Sequence, residues 1–165
     1  MPLAPAITDV ESLKGHPALA RLRGSGSVIV EGAKFDRDEM TIIVDRSCIR
    51  DACGLLRDDP VCPFNFLSDV TCVDWYPREP RFEVVYHLLS ISKKERVRLK
   101  VRLAGSSAAV ESVTSLWPAA NFFEREVYDL FGVRFNGHPY LRRLLMPENW
   151  EGHPLRKDYP VEGYR

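Results

Sequence analysis

Glu124, Arg125 and Glu126 are consecutive. Two carboxylates around an arginine suit general acid–base chemistry, provided both can reach one substrate atom. On a helix, residues two apart project to different sides, so this pair diverges and structural ion pairing is the favoured reading. Asp129 follows Arg125 at i,i+4, a spacing at which the two can pair on the solvent face. His87, His138 and His153 show no His-Glu-x-x-His or Cys–His spacing of the kind a metal site uses. His87 sits among apolar strand residues and reads as half-buried. His138 and His153 each stand between Gly and Pro and read as turn residues bonded locally. Cys48, Cys53, Cys62 and Cys72 form no Cys-x-x-Cys pair, so reduced, buried thiols are expected. A stand-alone acid/base enzyme using Glu124, Glu126 and His138 would need a cleft gathering all three with shifted pKa values. There is no Gly-x-Gly-x-x-Gly, phosphate loop or Gly-x-Ser-x-Gly, so dinucleotide binding and serine-hydrolase chemistry are not expected of this chain.

The elements that must position these residues are legible in part. Pro118 suits a first helical position and Gly132 a left-handed C-cap. Between them Ala120, Phe123, Val127, Leu130 and Phe131 fall on one arc at helical spacing. Glu124 and Glu126 fall at its margins, and Arg125 projects from the far side. After Gly132 the period stops, and Pro139, Pro147, Pro154 and Pro160 block any long helix.

Upstream, residues 1–5 are expected to fray, and Thr8 or Asp9 to cap a helix through about Leu22, with Leu13, Leu19 and Leu22 inward. Val28–Val30 and Met40–Val44 read as strands joined by a charged turn at Gly32–Glu39. Asp45 or Ser47 caps a helix to about Leu56. Strands follow at Asn65–Trp75, Phe82–Ile91 and Arg96–Leu103. The second is apolar on both faces, as a central strand is. The third alternates strictly, with Arg96, Arg98, Lys100 and Arg102 on one face. That cationic face suits either an acidic subunit surface or anionic lipid, or a solvated edge strand that resists aggregation. Ala108–Leu116 reads as a short helix. The whole predicts an α+β fold, with a mixed, mostly antiparallel sheet of about five strands and packed helices.

The chain has 165 residues, formal net charge +0 and 45% hydrophobic residues, enough for one core and without the basic excess of a nucleic-acid binder. The start lacks a basic n-region and no apolar run reaches bilayer-spanning length, so a soluble or peripheral protein made in the cytosol is expected. Residues 1–132 read as the α+β domain. Residues 133–165 combine prolines, balanced charge and the aromatics Tyr140, Trp150, Tyr159 and Tyr164. Irregular segments this long are functional or disordered. The reading is an extended C-terminal arm laid on a partner, with aromatics and Arg142, Arg143 and Arg156 as anchors; the alternative is a tail that wraps its own domain.

The run Glu124-Arg125-Glu126, Tyr128 to Gly132, Gly137-His138-Pro139, Arg142 to Pro147, and Trp150 to Tyr159 resembles the signature of the C subunit of bacterial respiratory complex I, the proton-pumping NADH:quinone oxidoreductase. The likeness extends upstream through Phe66–Val70 and Phe82–Leu88. It is weaker to the chloroplast and cyanobacterial counterpart and to related subunits of membrane-bound hydrogenases. The resemblance implies a non-redox scaffold subunit in the quinone module of the peripheral arm, on the cytoplasmic side of the cell membrane, beside the D, B and I subunits. FMN, iron–sulfur clusters and quinone would sit on those other subunits, and none on this chain. Glu124, Arg125, Glu126, Asp129, His138, Arg142, Arg143, Trp150, His153, Arg156, Lys157, Asp158 and Tyr159 are the signature positions expected at subunit interfaces. A chain ending at Arg165 is expected to be unfused to the D subunit. The homologous subunit of a membrane-bound hydrogenase or related oxidoreductase is the alternative.

Overall fold

The alternation of Val97, Leu99, Val101 and Leu103 with basic residues builds the middle strand of the molecule. The structure is a computed structural model describing residues 5–163; the fraying expected at residues 1–4 and the anchoring expected of Tyr164 lie outside them. In chain order the elements are α1 (Pro17–Gly24), β1 (Val30–Asp36), β2 (Glu39–Val44), α2 (Ile49–Arg57), β3 (Phe66–Asp74), β4 (Phe82–Ser90), β5 (Glu95–Leu103), β6 (Ala109–Glu111), α3 (Ala120–Phe131) and β7 (Arg134–Asn136). Five strands form a sheet in the order β1-β2-β5-β4-β3. All neighbours are antiparallel except β2 and β5, which pair in parallel with Ile42 opposite Leu99. The expected α+β class with a mixed, mostly antiparallel five-stranded sheet is therefore correct.

One pleat face carries Met40, Ile42, Val44, Tyr86, Leu88, Val97, Leu99 and Val101. It shares a single apolar cluster with Leu19 and Leu22 of α1, Ile49 and Leu56 of α2, and Val127 and Leu130 of α3. Alternation puts Thr41, Ile43, Glu83, His87, Arg98 and Lys100 on the opposite face.

Four local expectations are corrected. The segment from Thr8 is not helical up to His16. Asp9 instead accepts the N–H groups of Glu11 and Ser12 in a turn, and α1 begins only at Pro17. Proline disfavours a helical conformation in the residue before it, so the helix starts there. β1 runs through the stretch expected as a turn, because its charged residues occupy the outward positions of a strand. The chain reverses only at Arg37 and Asp38, with φ of 53° and 61°, the conformation a two-residue hairpin demands. β5 is not an edge strand but lies between β2 and β4. Ala108–Leu116 is not a helix: Ala109–Glu111 pairs in parallel with Arg134–Asn136, a partner supplied from beyond α3.

Candidate functional site

α3 forms where the period predicts, ends at Gly132 in the left-handed region (φ 75°), and buries Ala120, Val127, Leu130 and Phe131. It also buries three charged residues. Glu124 and Asp129 are fully buried and Arg125 nearly so, whereas Glu126 is exposed. The expected Arg125–Asp129 pair on a wet face does not exist. Each side chain instead turns to the chain that crosses it.

Asp129 is the centre. Its Oδ2 accepts the N–H groups of Leu144, Leu145 and Met146 at 2.9, 2.7 and 2.9 Å. Its Oδ1 accepts Arg143 Nη1 at 2.7 Å. Burial works to raise its pKa, but these four donors overcome it and hold the carboxyl below the usual range. Arg143 also donates from Nη2 to the carbonyls of Trp150 and Gly152, at 2.8 and 3.0 Å. Arg125 donates to the carbonyls of Arg142 and Arg143, at 3.2 and 3.0 Å, and its guanidinium faces the rings of Phe122 and Tyr140. Arg142 stacks on Tyr140 at 4.3 Å.

The C-terminal end of α3 is closed by the same segment. His153 Nδ1 donates to Asp129 O at 2.9 Å, Leu155 N to Leu130 O at 3.0 Å, and Arg156 Nε to Phe131 O at 2.6 Å. These satisfy carbonyls that a helix end leaves without partners, and a cation there suits the helix dipole. A Cβ at Gly132 would meet Arg156 Nη2 and His153 Nε2 at clashing distance, so any other residue there must displace both side chains as well as hold a left-handed φ. Further on, Lys157 N donates to Asp74 Oδ2 and Asp158 pairs with Arg81 at 2.6 Å, while Arg81 also holds Asp74 at 2.8 Å. Asp74 is carried down to about 2, burial opposing and Arg81 with the Lys157 and Tyr76 N–H groups prevailing. Tyr159 is half-buried, its N–H on Arg156 O.

Where an extended arm is expected, residues 137–163 are irregular but laid back along α3 and the β3–β4 end of their own domain. Trp150 is exposed. The expectation that His138 and His153 bond only within their turns is corrected: His138 Nδ1 accepts Tyr140 N–H but its Nε2 donates to Asn121 O on α3, as His153 does to Asp129 O, because the segment that carries both histidines lies against that helix.

Glu124 sits at the other end of α3. Its oxygens accept Ser112 Oγ at 2.6 Å and Val113 N at 2.7 Å, and burial outweighs both, pushing it up to about 7. It does not meet Glu126 or His138, so the three residues of an acid/base reading are not brought together. The cysteines are buried and unpaired, with Cys72 pushed up to about 12 by burial. Among the described residues no group of three or more His, Cys, Asp or Glu is arranged to hold a metal ion.

The cationic face of β5 is partly paired inside the sheet. Arg98 pairs with Glu39, and Glu83 takes Lys100 at 2.6 Å and Arg102 at 3.8 Å. Two carboxylates thus offset part of the charge of the four cations. Sequence reasoning missed Ser112, Asp74, Arg81 and Glu83. For Asp74 and Arg81 a signal existed: opposite charges at the two ends of a strand–turn–strand connection.

A family model described as "Respiratory-chain NADH dehydrogenase, 30 Kd subunit" matches residues 42–165. The C subunit of the NADH-quinone oxidoreductase of Roseiflexus sp. (strain RS-1) is 47% identical over 150 residues, covering 91% of this chain and 86% of that protein. The C subunit of the Geobacter metallireducens enzyme is 46% identical over 147 residues, 88% of this chain and 90% of that one. Among solved structures, a trypsin-resistant fragment of Nqo5 aligns with TM-score 0.57 and 31% identity, covering 74% of this chain and 96% of the fragment. A chain of the membrane-bound sulfane sulfur reductase, an archaeal respiratory membrane complex, aligns with TM-score 0.69 and 26% identity, covering 92% of this chain and 85% of that one.

Proposed function

Because the chain belongs to the respiratory-chain NADH dehydrogenase 30 Kd subunit family, we propose that it works as the C subunit of an NADH-quinone oxidoreductase and that its own task is to scaffold. In this reading it is a non-redox subunit of the quinone module of the peripheral arm, next to the D, B and I subunits. FMN, iron–sulfur clusters and quinone belong to the other subunits, and electrons pass from NADH to quinone with proton translocation. The chain meets the membrane through the complex, on its cytoplasmic side. Among the described residues no helix is long and apolar enough to cross a bilayer.

The observation that carries the reading is the fastening of residues 137–163. A buried carboxylate, three arginines and a glycine corner hold an irregular segment rigid, and that segment leaves Tyr140, Leu145, Trp150, Leu155 and Val161 exposed. Irregular chain held this firmly is a preorganised docking surface, because little freedom is left to lose on association. Arg and aromatic residues are the types that dominate such interfaces. Residues 133–165 thus serve as the partner-contact segment on the base formed by residues 1–132. Positioning neighbours to within an ångström is itself a function in a redox assembly.

A tagged chain purified from gently solubilised membranes tests this. Co-purification of NADH:quinone reductase activity sensitive to rotenone or piericidin, with flavin and iron–sulfur absorbance, is the expected result. Recovery of the chain alone from the soluble fraction would refute it. The likeness to the sulfane sulfur reductase chain favours a second reading, the homologous subunit of a membrane-bound hydrogenase or related oxidoreductase. Hydrogenase or sulfur-reductase activity in the same preparation would select that one.

A further inference from the structure

Away from the exposed aromatics, three arginines from distant parts of the chain line one groove of about 570 Å³: Arg46 after β2, Arg134 on β7, and Arg156 in the C-terminal segment. The turn Gly105–Ser107 brings Ser106 and Ser107 to its wall. One carboxylate, Glu111, lines the groove with them, and Glu79 accepts the Gly105 N–H at its edge. Asp45 accepts Ser47 N and Oγ, and Glu111 pairs with Arg50 at 3.3 Å. Of the ion pairs formed among the described residues, none involves Arg46, Arg134 or Arg156. Arg156 is half-buried against Phe131 O and Phe82, and burial together with the like charge of Arg81 lowers its pKa; Asp158 and Asp74 act against this, but both are bonded to Arg81. Among the described residues the lining thus sets three guanidinium groups against one carboxylate, which is shared with Arg50, and so carries an excess of positive charge.

We propose that this groove receives an acidic segment of a neighbouring subunit, a loop or terminus carrying at least two Asp or Glu side chains. The inference rests on the reading of the chain as one subunit of a larger complex. Charge complementarity sets the sign of the occupant. Size sets its kind: pockets of about 300–1,000 Å³ accommodate extended ligands rather than one ion. Arginine forks match carboxylates in two-point geometry, and the serine hydroxyls supply uncharged donors between them.

The test uses the full chain and a fluorescein-labelled hexaglutamate peptide, followed by anisotropy. Wild type is expected to bind in a salt-sensitive way, and R46E/R134E to bind roughly tenfold more weakly or worse. Both arginines are exposed, so an unchanged Tm is expected to show that the variant folds. No binding by wild type, or equal binding by the variant, would overturn the proposal. So would inorganic phosphate competing as well as the peptide, or phosphatidylglycerol vesicles binding in preference to it. A second arm introduces R46E/R134E into the complex in cells. Loss of the variant from the oxidoreductase, with wild type retained, is expected, and full retention of both would overturn the groove while leaving the family role standing. If wild type itself fails to co-purify, the reading as part of a complex falls instead, and with it the neighbour this groove requires.

Discussion

Glu124 and Asp129 stand five positions apart on α3 and both are fully buried, yet their environments drive them in opposite directions. Glu124 has two neutral donors, a serine hydroxyl and one peptide N–H, and burial prevails. Asp129 has three peptide N–H groups and a guanidinium, and the donors prevail. Burial alone does not decide charge state; the number and charge of the donors that reach the carboxylate does. The Glu124 end joins α3 to the strand before it. The Asp129 end joins α3 to the segment after it, and of the two carboxylates this one is held fully ionised at neutral pH, while Glu124, with a pKa of about 7, is only partly ionised there.

The comparison predicts an order of effects. Asp129→Asn removes the charge opposite Arg143 and sets an amide against three N–H donors. A loss of about 3–5 kcal/mol is expected, as when one partner of a buried pair is removed. Denaturant unfolding measures it, and trypsin should then cut between Arg142 and Arg156 in the folded variant. A tail that stays resistant would show that Asp129 is not what fastens it.

Glu124→Gln mimics the protonated acid and should separate the two ends by pH. The folded pKa of Glu124 is about 7 against an ordinary value of 4.5, so its ionisation costs stability progressively as pH rises from about 4.5 to about 7. The Gln variant should lose that slope, gaining about 1–3 kcal/mol relative to wild type by pH 8. For Asp129 the shift is downward from 3.8, so its contribution is complete above that value and fades as pH falls through the lowered folded pKa. Stability curves of wild type and E124Q that run parallel from pH 4.5 to 8 would contradict the protonation assigned to Glu124.

Gly132→Ala probes the corner linking the Asp129 end to Arg156 and His153. Left-handed φ and the displacement of both side chains should cost about 1–2 kcal/mol, read as a fall in Tm. Glu126→Ala, on the exposed side of the same helix, should change stability by no more than about 0.5 kcal/mol. A larger change would mean that helix position, and not the partners of Glu124 and Asp129, governs the comparison.

Much of this is legible from residue order. Pro118 and Gly132 bracket α3 to within two residues. The alternation in β5 and the apolar run of β4 identify strands, because periods of 2 and 3.6 are properties of the backbone itself. Sequence reasoning errs where a distant segment supplies the partner. Residues 109–111 form a strand because residues 134–136 pair with them. β5 is interior because β2 joins it in parallel, which brings Glu39 to Arg98, while Glu83 of β4 takes Lys100. Arg125 and Asp129 stand at a spacing that suits a surface pair, and nothing nearby in the chain says that residues 142–146 will cover them.

Residue order was enough for most of the elements, the α+β class and the family signature, since each depends on spacing within one stretch of chain. Folding in three dimensions set which charges are buried, which carboxylate stays ionised, and that residues 137–163 lie along their own domain. Those outcomes depend on which backbone donors arrive from elsewhere, and a buried charge is tolerated only where enough of them arrive together.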